Sequence, residues 1–146
     1  MIMVTQQERL NMLEIAFGFY GLKEWTGAGQ SNPEVEAFFK ELGYDYSDDT
    51  AWCSAFVNYI AKKAGVEYSG KLDARSWMKV GQPTSNPKVG DVVVFWRESV
   101  NSWKGHVALF INKEGDNIYA LGGNQSNMVN IRAYPEYRVL GYRRLS

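Results

Sequence analysis

The segment "GQPTSNPKVGDVVVFW" (Gly81–Trp96) divides this chain into two parts of different periodicity. Its first half mixes Gly, Pro, Ser, Thr and Asn, the composition of a turn-rich connection. Its second half, Asp91–Trp96, is a β-branched and aromatic run that reads as a strand. Upstream of it, apolar residues recur every three or four positions. A Thr5–Glu8 capping box introduces Leu10, Leu13, Phe17 and Tyr20 at helical spacing, with Gly21 as the stop. Pro33 suits the first turn of a second helix whose buried side is Val35, Phe38, Phe39 and Leu42, ending at Gly43. A third helix is expected over Ala51–Ala64, closed by Gly65, and a short fourth over Asp73–Val80. Downstream, His106–Asn112 and Asn117–Gly123 read as strands, with "MVNIRAY" and "VLGYRRL" as weaker ones. Helices first and an antiparallel sheet second is an α+β arrangement.

The chain has 146 residues, the length of one compact domain, so residues 1–146 are read as a single unit and a monomer is expected. An apolar share of 45% and an aromatic share of 14% supply a sizeable core. Basic and acidic residues balance at 16 each, which argues against nucleic acid as partner, since phosphate binding needs a basic face. The "GYRRLS" terminus is too small to change that. A single cysteine forms no internal disulfide, and with a single histidine it cannot build the usual zinc sites. No metal and no cofactor is expected. The N-terminal "MIMVTQQERLNMLEIAFGFYG" lacks signal-peptide organisation, and no stretch approaches the apolar length of a membrane span. Synthesis in the cytoplasm, with any export by another route, is the expectation.

The lone cysteine opens the third helix in "DDTAWCSAFVNYIAKKAG" (Asp48–Gly65). Cys53 shares a face with Phe56, Val57, Ile60, Ala61 and Ala64, so an inert core thiol is one reading. Its place in the first turn favours another. Free backbone N–H groups and the positive end of the helix dipole stabilise a thiolate, the nucleophilic form. The lone histidine lies in "GHVALFIN", where His106 alternates with Ala108 and Phe110 while Val107, Leu109 and Ile111 take the other face. A three-residue turn at Glu114-Gly115-Asp116 pairs Leu109 with Leu121 and sets His106 across from Asn124. A two-residue Gly115-Asp116 turn slips the register by one and sets Gln125 there, but it pairs Val107 with polar Asn124 and ranks second. Either way a side-chain amide stands beside the imidazole, able to hold one ring nitrogen and leave the other for a thiol.

The blocks "WCSAFVNYIAKKAG", "GDVVVFWR", "GHVALFI" and "LGGNQSN", in this order, resemble the papain-like cell-wall hydrolases of bacteria and phages, the CHAP (cysteine, histidine-dependent amidohydrolase/peptidase) and NlpC-type families. The likeness is closest to small, single-domain, phage-associated CHAP-like proteins. It implies a papain-like α+β fold and a cysteine hydrolase cutting an amide bond of bacterial peptidoglycan. In that role Cys53 would be the nucleophile, His106 the general base and Asn124 the orienting residue. Trp52, Ser54, Gly105 and Gln125 beside them are the expected substrate contacts, with Trp96 and Trp103 as further aromatic candidates and Arg75 as either a stem-peptide contact or a solvated residue. The Cys53 N–H would stabilise the oxyanion; Tyr44 and Tyr46 are the only residues near the tyrosine that relatives place upstream of the cysteine. The resemblance also implies action at the cell wall or periplasm after release or delivery, with a holin, a secretion route or a cognate inhibitor as partner. Two other functions share these residues: a protease or deamidase acting on protein, and a non-catalytic wall-binding module.

Overall fold

A computed structural model describes residues 2–146, with side chains described from Gln6 onward. Three helices come first: α1 (Ile2–Phe17), α2 (Pro33–Lys40) and α3 (Cys53–Ala64). A 3-10 helix (Ala74–Lys79) leads into β1 (Gln82–Thr84), β2 (Val92–Trp96), β3 (Gly105–Glu114), β4 (Asn117–Gly122) and β5 (Asn130–Pro135). A 3-10 turn (Glu136–Arg138) then precedes β6 (Val139–Arg144). The strands form one sheet in the order β1-β6-β2-β3-β4-β5, antiparallel at every pairing. This is the papain-like α+β arrangement.

Local chemistry explains the helix ends. Asn32 caps α2 by accepting the Glu34 N–H (2.9 Å), and Pro33 occupies the first turn, where its missing N–H costs nothing. Gly65 ends α3 in the left-handed region at φ 77°, which glycine adopts without strain. In α1 the expectation needs correcting. The helix begins at Ile2, so Thr5 lies inside it and not at a cap. Its buried residues are Met12, Leu13 and Ala16, whereas Leu10, Phe17 and Tyr20 are exposed. Leu13 is the only member of the expected stripe that reaches the core. The connection after Gly81 also holds a strand that the turn composition hid: Gln82–Thr84 pairs with Arg144–Tyr142 at the sheet edge.

The two faces of the sheet are packed differently. One carries Val92, Val94, Val107, Leu109 and Leu121 against α1–α3, where Phe38, Trp52 and Phe56 are fully buried. Burying each such aromatic stabilises the fold by about 2–3 kcal/mol. The other face holds Val93, Phe95, Ala108, Phe110, Ile118 and Ala120, closed over by Tyr134, Val139 and Tyr142. Phe95 on β2 and Tyr134 on β5 have ring centroids 4.7 Å apart although two strands separate them. The sheet therefore curls until its far edge overhangs its middle. That curl positions the site described below.

Asp91, fully buried, anchors the start of β2 to the end of β6. Arg144 donates Nε to Oδ1 (3.0 Å) and Nη2 to Oδ2 (2.7 Å), and the Lys88 N–H also donates to Oδ2 (2.7 Å). The basic C-terminal residues thus serve the fold: Arg143 likewise donates to the carbonyls of Val80 and Gly81. Removing one partner of a buried, forked pair strands the other. Asp91→Ala is expected to cost about 3 kcal/mol, read as a lower denaturation midpoint with unchanged cooperativity.

Candidate active site

Cys53 is the first residue of α3 and is 7% exposed. The residue before it, Trp52, occupies the N-cap and makes no side-chain cap hydrogen bond. A Ser or Asp there would spend an oxygen on the first-turn N–H groups; a tryptophan leaves them directed at the cysteine. The side chain of His106 and the backbone N–H groups of Val107 and Ser54 are the neighbours that favour the thiolate. Thiol and imidazole, 53 positions apart in the chain, therefore meet.

His106, second residue of β3, is equally buried and stands on the face shared with Phe95 and Tyr134. Its Nε2 lies 2.9 Å from Gln125 Oε1 and 3.2 Å from the Tyr134 hydroxyl. The direction of the Gln125 bond follows from the far end of the amide. Gln125 Nε2 donates to the Asn130 carbonyl (2.8 Å), Asn130 Oδ1 (3.0 Å) and the Ala120 carbonyl (3.3 Å), so Oε1 is the atom turned to the ring. An amide oxygen only accepts. The proton of neutral His106 is thus held on Nε2, and Nδ1 is left as the basic nitrogen for the sulfur.

The third position differs from the first-ranked expectation, and the hairpin shows why. The β3–β4 turn is the tight one: Glu114 pairs with Asn117 and Asn112 with Tyr119. A bulge at Ile111 absorbs one residue, after which Phe110 pairs with Ala120 and Leu109 with Leu121, the register ranked first. Extended to His106, that ladder would reach Asn124, but β4 stops at Gly122. Asn124, Ser126 and Asn127 then take left-handed backbone, and the turn folds Gln125 back toward the ring. Gly122 makes the room: a Cβ there would fall 2.6 Å from Gln125 Oε1.

Opposing effects set the charge state. Burial pushes the Cys53 thiol up, but the His106 hydrogen bond and charge, with the Val107 and Ser54 N–H groups, bring it below the ordinary thiol value. Burial pushes His106 down, and the Cys53 interactions with the Gln125 bond raise it above the ordinary imidazole value. Tyr134 is pushed up to about 12 by burial and stays protonated. Each shift favours the charged form of its group, thiolate at Cys53 and imidazolium at His106. Alkylation of Cys53 by iodoacetamide, followed by mass spectrometry against pH, is expected to stay fast well below the usual thiol range and to slow as acid protonates the sulfur. His106→Ala should slow it about tenfold or more at neutral pH.

Two adjoining clefts open onto the pair. One, about 410 Å³, is lined by Cys53, Asp73, Trp103, Lys104 and Gly105 among others. The second, about 260 Å³, is lined by His106, Gln125, Trp96 and Tyr134. Arg97, Asn124 and Arg138 border both. Asn124, expected to orient the histidine, is therefore placed where substrate would pass. Trp52 and Ser54, expected as substrate contacts, are fully buried. Trp52 packs on Phe38, donates Nε1 to Glu24 (2.7 Å) and lies so close to Gly123 that a Cβ there would fall 2.7 Å from its ring. Ser54 donates to the Lys71 carbonyl (2.7 Å) and accepts from Trp77 Nε1 and Asn58, tying α3 to the following loop. Gly105 does line the cleft, though its small size serves the backbone, since a Cβ would meet the Phe95 carbonyl at 2.8 Å. Gln125 borders the second cleft and turns its amide oxygen to His106. Arg75 is half-buried and committed to the fold. It donates to the carbonyls of Lys104 (2.9 Å), Val100 (2.6 Å) and Ser99 (2.8 Å), strapping the 97–104 loop that carries Trp103. Tyr44 and Tyr46 stack on each other and line neither cleft. Asn130, Tyr134 and Arg138 were not legible as site residues, because only the curl of the sheet brings β5 and its flanks to the histidine. Among the described residues no cluster of three or more His, Cys, Asp or Glu could hold a metal, and no helix is long and apolar enough to cross a membrane.

A thiol at a helix start, set beside a strand histidine whose outer nitrogen is held by an amide, agrees with what comparison finds. The CHAP domain family model matches residues 45–124, more than half of the chain. The chain belongs to the CHAP family. Its fold is also that of an NLP/P60-family protein, described as similar to lipoprotein, from Staphylococcus aureus subsp. aureus Mu50, at TM-score 0.54 and 16% identity. The alignment covers 94% of this chain and 41% of that one, so this chain spans about two-fifths of the other's length. No curated protein matches the sequence. This CHAP chain sets its one cysteine beside its one histidine, an arrangement consistent with a cysteine hydrolase site.

Proposed function

We propose that this CHAP domain hydrolyses an amide bond of bacterial peptidoglycan, with Cys53 as nucleophile, His106 as base and acid, and Gln125 as the positioning residue. The carrying observation is the chain's one thiol and one imidazole set side by side, each favouring the other's charged form, beside clefts that reach the surface. The Cys53 thiolate attacks the carbonyl carbon, and the oxyanion forms next to the N–H of Cys53, first in its helix. Losing one such donor typically costs about 3 kcal/mol of transition-state stabilisation. Protonated His106 gives its proton to the leaving amine, and the C–N bond breaks to leave a thioester. His106 then takes a proton from water, which attacks the thioester and restores the thiol. Exposed Trp103, 72% accessible at the cleft edge, offers a flat apolar surface for a sugar or peptide. The site of action is the cell wall or periplasm, reached by release or delivery, and residues 1–146 act as one unit.

The test is digestion of a defined, purified peptidoglycan with mass spectrometry of the soluble fragments. New amine and carboxylate ends at one bond type support the reading and name the bond. Intact walls beside cleaved or deamidated protein substrates would reassign the same centre to a protein-directed enzyme.

A further inference from the structure

The cleft beside His106 has an unbalanced charge. Arg97, Arg132 and Arg138 line it, and no carboxylate does. Among the described residues none of the three forms an ion pair, although five other pairs are present, including Lys104–Glu98 at the neighbouring cleft. Arg132 bonds only the Ser126 hydroxyl. Arg138 lies over the rings of Trp96 (5.1 Å) and Tyr137 (5.9 Å), which fixes its plane, yet its Nε is buried without an acceptor. A buried N–H of this kind is rarely left unpaired in a finished structure. A planar cation held by stacking, with donors unused, suits a planar two-oxygen anion.

The side of the site matters too. His106 must protonate the leaving amine, so the cleft on its side receives the amine half of the cleaved bond. We infer that Arg97, Arg132 and Arg138 form a carboxylate subsite that selects amides whose amine-side fragment bears a free carboxylate close to the bond cut. As a statement about substrate this rests on the hydrolase reading above; as a statement about the cleft it does not. Peptides with acidic residues or a free C-terminus next to the scissile bond meet the requirement. Neutral or amidated ones do not.

The test separates the two levels. The first readout is alkylation of Cys53 by iodoacetate against iodoacetamide, in which the thiolate displaces iodide from carbon and only the former probe carries a carboxylate. The ratio of the two rates is expected to exceed that of free cysteine and to fall with added salt. It should drop several-fold in Arg97→Gln and in Arg138→Gln, and about tenfold or more in the double variant, with Arg138→Lys falling between wild type and Arg138→Gln because it keeps the charge and loses the planar fork. Arg97 is exposed, so its variant keeps the test valid even if changing stacked Arg138 disturbs the fold. The second readout is a pair of muropeptides differing only by amidation of the amine-side carboxylate, where amidation should raise KM about tenfold in wild type and change little in the double variant. A ratio indifferent to all arginine substitutions overturns the subsite. A ratio that responds as expected, in protein that digests no peptidoglycan, upholds the subsite and overturns the wall substrate.

Discussion

Cys53→Ala and His106→Ala are each expected to lower turnover of peptidoglycan by about 10⁴-fold or more, and the double variant no further. Members of one catalytic unit fail together, because a thiol without its base and a base without its thiol are equally idle. The structure gives the reason at both ends. Cys53 is 7% exposed, and burial alone would hold it protonated; only His106 and two N–H groups oppose that. His106 in turn owes its raised affinity for protons chiefly to the sulfur. Folding should survive both changes, since neither side chain spans the core, and the circular dichroism spectrum and denaturation midpoint check this. Additive losses, or either single variant digesting walls at the wild-type rate, would rule out the shared mechanism.

Gln125→Ala is expected to lower kcat about 10- to 100-fold with a small change in KM. The amide carries no full charge, so it orients the ring and cannot stabilise imidazolium as a carboxylate would. Without it the Nε2 proton keeps only the longer bond to Tyr134. Gln125→Glu is the informative partner. A carboxylate at this position raises His106 further and should carry the alkaline limb of the kcat profile to higher pH. Asn124→Ala, by contrast, should alter KM and leave that limb in place, because Asn124 borders the clefts and makes no hydrogen bond to the ring. The reverse pattern, with a shifted limb in Asn124→Ala and none in the Gln125 variants, would return the third position to Asn124.

The helix-to-sheet division was legible because it rests on periodicity and on Gly and Pro at fixed places: Pro33 opens α2, Gly65 closes α3, and the apolar run after Asp91 is β2. The dyad was legible because cysteine and histidine each occur once, with local contexts that imply a helix start and a strand. What escaped depended on long-range geometry. Nothing local reveals that Ile111 bulges, that β4 ends at Gly122, two residues short of the expected pairing at Asn124, or that three left-handed residues turn Gln125 inward. Trp52 and Ser54 looked like cleft residues from their sequence neighbour, but the start of a helix presents successive residues to different directions, and theirs is the core. The α1 stripe failed for a related reason: Leu10, Phe17 and Tyr20 keep helical spacing, and the helix buries the adjacent face.

The residues that steady the imidazole do not lie where the family signature lies. The signature stops at position 124, whereas the glutamine, the asparagine that locks its amide and the overhanging tyrosine all come later, on the turn and last strands. One contribution to proton affinity at the base, the Gln125 bond to the ring, is consequently supplied from outside the recognisable motif, although the larger one comes from Cys53 within it. Members of such a group could drift in the acidity at which they work while every diagnostic block stays the same.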